Sequence, residues 1–356
     1  MKLTLMISSA CLSALLCGCS RKPPSASCKN LGTGEGNPKA APILMVAKAC
    51  LEDFQAEQWS SLHDRMTVAA RAELPEAQLA AQCEMMTKHF GVPANVEILE
   101  IHFAEFPEHP ANAPPTAMSG IKGYSCILPN PILLASPVSG YGALILCKAT
   151  GRDVGLKSWM TLVLHRENNV WGLVSVHMNN CEANGHDGNW FAKRAQEFES
   201  KGMRRIAFLY RNFAAQLLIP SPYIIVPSAS RQLQEAAKQE GPPNMPFPGA
   251  RPSETWRADD GTEFRVESVS IASAPSFLSL EVRYKSAQKE PDSQEAKAER
   301  QKLYRYVIEQ FPEYREAFDG VFIGSVTWWG KGFRDYFSFN ENENEAANKS
   351  MDSDEQ

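Results

Sequence analysis

Residues 156–178, LKSWMTLVLHRENNVWGLVSVHM, hold two apolar segments on either side of the dipeptide Asn168-Asn169. Asparagine tolerates the positive backbone angles of a tight turn, so the two segments are predicted to pair as antiparallel strands. A two-residue turn pairs Glu167 with Val170, and both faces of the resulting hairpin are then largely apolar. A sheet with one face in water alternates apolar and polar residues instead. This hairpin is therefore predicted to be covered on both sides.

One face of the hairpin needs a cover from outside its own domain. With the pairing above, that face carries Trp159, Val163, Val174 and Met178. The helices that precede the hairpin can cover only the opposite face, and an exposed apolar patch of this size usually marks an interaction site. We expect the second half of the chain, or a second copy of the chain in a homodimer, to cover it.

Two helices and three more strands are predicted on the N-terminal side of the hairpin. Apolar residues at helical spacing start at Ile43, and a second such stripe runs from Pro75, in a first turn, to Gly91, which ends the helix. The apolar parity switches within the first strand, which predicts a bulge. The three strands are expected near 95–106, 120–128 and 141–149.

Helices followed by a long bent antiparallel meander that ends in the strand Val170-Trp171-Gly172-Leu173-Val174 resemble the nuclear transport factor two-like superfamily. The resemblance implies that residues 42–181 form a cone-like α+β domain, a curved antiparallel sheet over helices. Some members, such as the ketosteroid isomerases, use an Asp base inside the apolar cone. The five predicted strands contain no Asp, so no catalytic residue is assigned. An acid–base role for Glu100 or His102 is the alternative.

Residues 189–339 are predicted to form a second α+β domain. Helices are expected over 189–219, interrupted at Gly202, and over 293–311. No catalytic triad, phosphate-binding loop or pair of carboxylates stands out in this half, and it resembles no family that we recognise. Its strands are expected at 263–272, 277–285, 321–329 and 333–339.

The last of these hairpins is rich in aromatic residues, among them Trp328 and Trp329. Neighbouring residues of a strand point to opposite faces, so both indoles enter a core only if the hairpin is covered on both sides. An exposed tryptophan is able to stack on a sugar ring or to anchor a partner, which makes these two the candidate binding residues. Packing of both rings in the core is the alternative.

The N-terminus has the pattern of a secretory signal peptide. Lys2 precedes an apolar run over residues 3–17 that is too short to span a membrane. The run ends Leu16-Cys17-Gly18-Cys19, which resembles the lipobox of bacterial lipoproteins. The resemblance implies removal of residues 1–18 and acylation of Cys19, for example with palmitate. Ser20, where an Asp would signal retention in the inner membrane, implies an outer-membrane anchor that faces the periplasm.

Six cysteines remain after such a signal is removed. All lie in the first half of the chain, and an even count in an oxidising compartment favours disulfides. Their number permits many pairings, so no connectivity is assigned, and buried free thiols are the alternative. The candidate disulfide cysteines are Cys28, Cys50, Cys83, Cys126, Cys147 and Cys181.

Charge is unevenly distributed along the 356 residues. The formal net charge is −5, and residues 339–356, with six acidic residues and one lysine, account for the same value. We therefore expect a near-neutral folded body, which excludes nucleic-acid binding by phosphate neutralisation. Residues 340–356 are predicted to be a disordered acidic tail, and residues 19–41, rich in Pro, Gly and Ser, a flexible tether.

Metal and cofactor sites are not predicted. His177, Cys181 and His186 lie within ten residues of one another, and zinc accepts imidazole and thiolate ligands. However, His177 falls at a strand end, Cys181 is a disulfide candidate, and no second pair of ligands accompanies them. The pattern is too weak to assign a metal.

Three functions fit these patterns. The leading one is a non-catalytic, lipid-anchored binding or scaffolding protein of the bacterial envelope. The second is an enzyme that acts on a small molecule in a pocket of the cone. The third is a glycan or peptide binder that uses the aromatic hairpin.

The lipobox gives the first testable prediction. Metabolic labelling with a palmitate analogue is expected to mark the wild-type protein and not the Cys19→Ala variant, because Cys19 is the acylated residue. Cys17→Ala serves as the matched control and is expected to keep the label. Equal labelling of the wild type and Cys19→Ala would contradict the assignment.

Overall fold

The computed structural model describes residues 27–106, 124–127, 133–136, 140–226, 253–274, 277–288, 293–327 and 332–340, with isolated residues between them. The fold is α+β, as predicted. These residues form two compact units. One contains the described chain up to Glu182 together with Ala214–Gln232, and the other contains Ala183–Phe213 and the described chain from Leu233 onward. No described helix is long and apolar enough to cross a bilayer.

The first unit is built on a five-stranded antiparallel sheet. Its strand order is β1-β2-β5-β6-β7. The last three strands, β5, β6 and β7, are consecutive in the chain and adjacent in the sheet, so they form a meander. The strands are β1 (Ser27–Asn30), β2 (Pro93–Phe106), β5 (Gly140–Gly151), β6 (Lys157–Glu167) and β7 (Val170–Asn180).

Helices cover the inner face of this sheet. They are α1 (Ala41–Gln55), α2 (Trp59–Asp64), α3 (Val68–Glu73) and α4 (Glu76–Phe90). The predicted boundaries of α4 are confirmed, because Pro75 precedes its first turn and Gly91, at φ +77°, ends it. The core between helices and sheet is apolar and includes Ile43, Phe54, Leu62, Leu79, Ile101, Ile145, Met160, Leu162, Leu164 and Leu173.

The predicted turn and the predicted bulge are both confirmed. Asn168 and Asn169 have φ values of +48° and +66°, the conformation that a two-residue hairpin turn requires. The pairing of β2 with β5 shifts by one residue between Ile98 and Glu100, which is the bulge expected from the parity switch. Both features arise from local sequence, which explains why they were predictable.

The predicted register of the β6–β7 hairpin is wrong beyond its first four pairs. Leu164 pairs with Leu173 as expected, but a shift at this point places Ser175, not Val174, opposite Val163. Trp159 consequently pairs with Asn179 instead of Met178. The extra residue in β7 moves Met178 to the core side and places polar residues on the outer face.

The predicted tether is also wrong for the part that the structure describes. Strand β1 pairs with β2 from Ser27 to Asn30, and the chain then runs through a loop that packs on the sheet. Leu31 N donates to the carbonyl of Ile101 at 2.8 Å. Gly34 lies so close to the core that a Cβ atom on it would be 2.6 Å from the Ile101 side chain. The ordered body therefore begins well before residue 42.

A segment from the second half of the chain covers the outer face of the sheet, as predicted. The indole of Trp159 donates to the carbonyl of Leu217 at 2.8 Å, and the Asn179 amide donates to the carbonyl of Ile219 at 2.7 Å. Ile224 is fully buried in an apolar cluster with three residues of the sheet, which are Ala104, Leu144 and Leu146. This covering segment is the reason that Ala214–Gln232 belongs to the first unit.

The strand predicted near 120–128 does not join the meander. Strand β3 (Tyr124–Ile127) pairs with β4 (Leu133–Ser136), which pairs in turn with β10 (Ile224–Ile225). These three short strands form a separate sheet, and the intervening strands β8 (Glu182–Ala183) and β9 (His186–Asp187) pair with each other. The prediction of a strand is confirmed here, and its assignment to the cone is corrected.

The second unit contains a five-stranded sheet with the order β11-β12-β13-β14-β15. Strands β13 and β14 are parallel, because helix α7 and a 3₁₀ helix (Pro312–Glu316) cross over between them. Two more helices precede the sheet, α5 (Gly188–Ser200) and α6 (Arg204–Leu218), separated at Gly202 as predicted, and the last five residues of α6 belong to the first unit. The other elements are β11 (Glu254–Arg257), β12 (Glu263–Ala274), β13 (Phe277–Ser286), α7 (Gln294–Gln310), β14 (Gly320–Thr327) and β15 (Gly332–Ser338).

An ion pair links α7 to the last strand of this sheet. Arg300 is completely buried, and its Nε donates to Asp335 Oδ2 at 2.6 Å. Its Nη1 donates to Ser325 Oγ at 3.2 Å, and its guanidinium carbon lies 5.0 Å from the ring of Phe333. A buried charge is tolerated only when it is paired in this way, so Arg300 fixes the position of α7 on the sheet.

The covering segment yields a stability prediction. Ile224→Ala in the full chain is expected to lower the free energy of unfolding by about 2 to 4 kcal/mol, because it leaves a cavity over Leu144 and Leu146. The control Val170→Ala, at a side chain that is 69% exposed, is expected to change it by less than about 0.5 kcal/mol. Chemical denaturation measures both, and equal stability of the two variants would contradict the covering role.

Candidate functional site

A surface cleft of about 280 Å³ lies in the second unit, where the start of α5 meets the loop before β14. Its walls are largely aromatic, and its polar groups carry charges of both signs. The lining residues are Asn184, His186, Trp190, Phe191, Arg194, Tyr210, Leu278, Arg315, Glu316, Ala317, Phe318 and Asp319.

A tight turn holds one wall of the cleft. Asn184 and Gly185, at φ +48° and +73°, turn the chain so that His186 precedes α5 by two residues. Asp187 caps this helix, because its Oδ1 accepts a hydrogen bond from Trp190 N at 2.9 Å. The rings of His186 and Trp190 then stack at 3.8 Å with an interplanar angle of 3°. This wall therefore consists of two stacked parallel rings, and the turn and the helix cap hold them in place.

Arg194 lies one helical turn further along α5. Its guanidinium carbon is 5.8 Å from the centre of the Trp190 ring and 4.9 Å from that of Phe198. It also forms an ion pair with Glu197, and its side chain remains 36% exposed. The rings of Trp190 and Phe198 and the carboxylate of Glu197 restrict the Arg194 side chain. Its guanidinium is therefore held at a defined place on the cleft wall.

The opposite wall is fixed by hydrogen bonds to main chain. Tyr210 Oη donates to the carbonyl of Ala317 at 2.8 Å. Asp319 Oδ2 accepts from Leu278 N at 2.7 Å, and Asp319 N donates to the carbonyl of Leu278 at 2.9 Å. Burial raises the pKa of Tyr210, so its hydroxyl stays protonated and keeps this bond. This side of the cleft carries the carboxylates of Asp319 and Glu316 and the guanidinium of Arg315, and all three residues are exposed.

His177 and His102 lie on the outer face of the sheet of the first unit. Burial lowers the pKa of His177 to about 4, and its Nε2 lies 3.0 Å from Ser175 Oγ. His102 is completely buried with its Nε2 at 2.9 Å from Glu100 Oε2, and burial lowers its pKa too. Both imidazoles are therefore neutral at physiological pH, and both lie outside the interior of the cone where an acid–base pair was considered.

Four of the candidate disulfide cysteines are free thiols, which corrects the prediction for them. Cys50, Cys83, Cys147 and Cys181 are all buried. The first three belong to the apolar core of the first unit, where a thiol packs like a small hydrophobic side chain. Cys28 is disulfide-bonded, and none of these four is its partner. The side chain of Cys126 and the whole of Cys19 lie outside the described residues.

The candidate binding residues Trp328 and Trp329 also lie outside the described residues. Other aromatic residues of their hairpin are placed. Phe333 and Tyr336 are each 44% exposed, and Phe337 stacks on Tyr304 of α7 at 4.6 Å. Phe333 and Phe337 face α7, whereas Tyr336 faces the opposite side of the sheet, as strand alternation requires.

The described residues contain no group of three or more His, Cys, Asp or Glu side chains placed to hold a metal ion. His186, one of the residues weighed as a ligand, is stacked on Trp190 instead. No protein-family model, curated protein or solved structure matches the chain, so the superfamily resemblance stays a prediction.

Sequence reasoning missed the cleft because its residues are far apart in the chain. They come from a turn, two helices, a strand and the loop before β14. The dipeptide Asn184-Gly185, a strong turn signal next to His186 and Trp190, was the one local indication. Only the fold brings this segment to Tyr210 and Asp319.

The cysteine assignment is directly testable. Burial raises the pKa of Cys50, Cys83 and Cys147 to about 12 and that of Cys181 to about 11, so none supplies thiolate near neutral pH. Iodoacetamide is expected to leave all four unmodified in the native protein and to modify all four after denaturation without reductant. A disulfide-linked peptide that joins any two of them, found by mass spectrometry, would contradict the structure.

Proposed function

We propose that this protein is a lipid-anchored, non-catalytic binding protein of the bacterial envelope, attached to the outer membrane through Cys19, and that its cleft holds a small zwitterionic ligand. The observation that carries the proposal is the cleft itself, with the stacked rings and Arg194 on one wall and two carboxylates, together with Arg315, on the other.

The charges of the cleft favour a ligand that has charges of both signs. Arg194 holds a guanidinium next to the stacked rings, and Asp319 and Glu316 hold carboxylates across the cleft. A free amino acid or short peptide has a carboxylate for the first and an ammonium for the second. The available volume of about 280 Å³ suits a ligand of this size, and its side chain would lie against Trp190.

The chemistry of the cleft favours binding over catalysis. Its lining includes no serine, threonine or cysteine to act as a nucleophile. The Tyr210 hydroxyl donates to a main-chain carbonyl, and its pKa is raised by burial, so it is unsuited to act as a base. The alternative of an enzyme inside the cone has less support, since Asp53, a buried carboxylate of the first unit, is held in an ion pair by Arg65.

Calorimetric titration with the dipeptide Ala-Phe tests the proposal. Binding is expected for the zwitterion and about tenfold weaker binding for its N-acetylated or C-amidated form, since each loses one charge-assisted contact. Trp190→Ala and Arg194→Gln are expected to weaken binding by a similar factor. Arg204→Gln, at an exposed arginine outside the cleft lining, is the matched control and is expected to bind normally.

Two results would refute the proposed ligand class. One is binding of the blocked dipeptides that equals that of the zwitterion. The other is unchanged binding by Arg194→Gln, because the guanidinium would then have no part in recognition.

A further inference from the structure

The side of the second-unit sheet that faces away from α7 carries three aromatic rings in contact, and we refer to it as the open face. Phe322 of β14 contacts both Phe277 and Tyr336, and its ring centre lies 6.1 Å from the first and 5.0 Å from the second. Phe277 and Tyr336 are themselves 6.0 Å apart. Phe277 and Phe322 are partly exposed and Tyr336 is 44% exposed, so the rings form an apolar platform that reaches the surface.

The ring of Tyr336 lies along the sheet instead of standing up from it. Its hydroxyl is only 2.6 Å from the place that a Cβ atom on Gly320 would take. Glycine at position 320 of β14 therefore provides the space that the Tyr336 ring occupies. A ring that lies down presents its flat surface to solvent, and this is the orientation that a stacked ligand needs.

Two arginines next to the platform share a single carboxylate. Glu281 Oε1 lies 3.3 Å from Arg283 Nε and 3.9 Å from Arg334 Nη1. Arg334 also lies over the Phe322 ring, with its guanidinium carbon 4.7 Å from the ring centre. The two side chains are 49% and 60% exposed, so both cations are accessible from solvent. One carboxylate neutralises one of them, which leaves a surplus positive charge beside the rings.

Two other carboxylates of this sheet, Glu263 and Glu267, do not compensate for the surplus. Glu263 forms an ion pair with Arg257, and Glu267 lies 3.6 Å from Lys285. Each of these acids has a basic partner of its own. The imbalance is therefore local to Glu281, Arg283 and Arg334, at the edge of the aromatic platform.

We propose that the open face binds an acidic polysaccharide, with a sugar ring stacked on Tyr336 and a sugar carboxylate bound by Arg334 and Arg283. A pyranose ring has an apolar face of C–H bonds that suits an aromatic surface, and a guanidinium binds a carboxylate through two parallel hydrogen bonds. A neutral glycan has no carboxylate to bind the arginines, and an acidic peptide has no sugar ring to stack on the aromatic platform. This site is separate from the cleft, and its ligand is a different class of molecule.

Titration of the full chain with three soluble probes tests this inference. Hexagalacturonate, which has both rings and carboxylates, is expected to bind, and its affinity is expected to fall as salt is raised. Maltohexaose, which lacks the charge, and hexaglutamate, which lacks the rings, are each expected to bind about tenfold more weakly. Equal binding by hexaglutamate assigns the face to acidic peptides, and equal binding by maltohexaose removes the role of the arginines. Either result overturns the proposal.

Variants on the two sides of the same strand localise the binding. Tyr336→Ala and Arg334→Gln are expected to weaken hexagalacturonate binding about fivefold or more. Phe333→Ala, at an equally exposed ring that faces α7, is the matched control and is expected to leave it unchanged. Loss of binding in Phe333→Ala but not in Tyr336→Ala would place the ligand on the wrong side of the sheet and overturn the proposal.

The predicted acidic tail, residues 341–356, lies outside the described residues, and its binding to the open face is the competing outcome of the test. It follows β15 directly and carries most of the formal negative charge. A chain that lacks residues 341–356 is therefore titrated in parallel, and binding of the same strength or tighter supports the proposal. If hexagalacturonate binds only after this removal, the tail and not a polysaccharide occupies the face of the intact protein. Absence of binding in both forms overturns the proposal as well.

Discussion

The shift of one residue between β6 and β7 is the constraint on which the first unit depends. It allows apolar residues of both strands to face the helices, Leu162 and Leu164 from one and Val176 from the other. It also brings Asn179 to the outer face, beside Trp159. These two side chains donate to the carbonyl groups of Leu217, in the last turn of α6, and of Ile219, just after it. The carbonyl groups at the end of a helix have no partner within the helix, so the sheet supplies their hydrogen bonds. A regular hairpin would offer the covering segment an apolar surface and few hydrogen bonds.

Local sequence was sufficient to predict most of the helices and the turns. Pro75 and Gly91 mark the ends of α4, Asn168-Asn169 form the turn, and Ser293 caps α7 with its Oγ accepting from Ala296 N. In each case the signal and the structure lie within a few residues of each other. The same is true of the bulge in β2, which the parity of its apolar residues reveals.

Features that depend on residues far apart in the chain were missed. The pairing of β1 with β2 joins positions about 75 residues apart, and a sequence rich in Pro and Gly gave no strand pattern there. The parallel pairing of β13 with β14 depends on the crossover through α7. Cys50, Cys83 and Cys147 were misread because an even count of cysteines in an exported chain favours disulfides, whereas burial in a core selects the thiol as a small apolar group. The cleft was missed for the same reason, since Trp190 and Asp319 are far apart in the chain and line one cleft only in the folded protein.

The early start of β1 limits how far the body can move from a bilayer. Ser27 is fixed to the sheet, and it is only eight positions along the chain from Cys19. Eight residues span at most about 30 Å when fully extended, which is close to the thickness of the hydrocarbon layer itself. If Cys19 carries the lipid, the first unit stays next to the headgroups and does not reach across the periplasm. Any ligand must then come to the membrane surface to be captured.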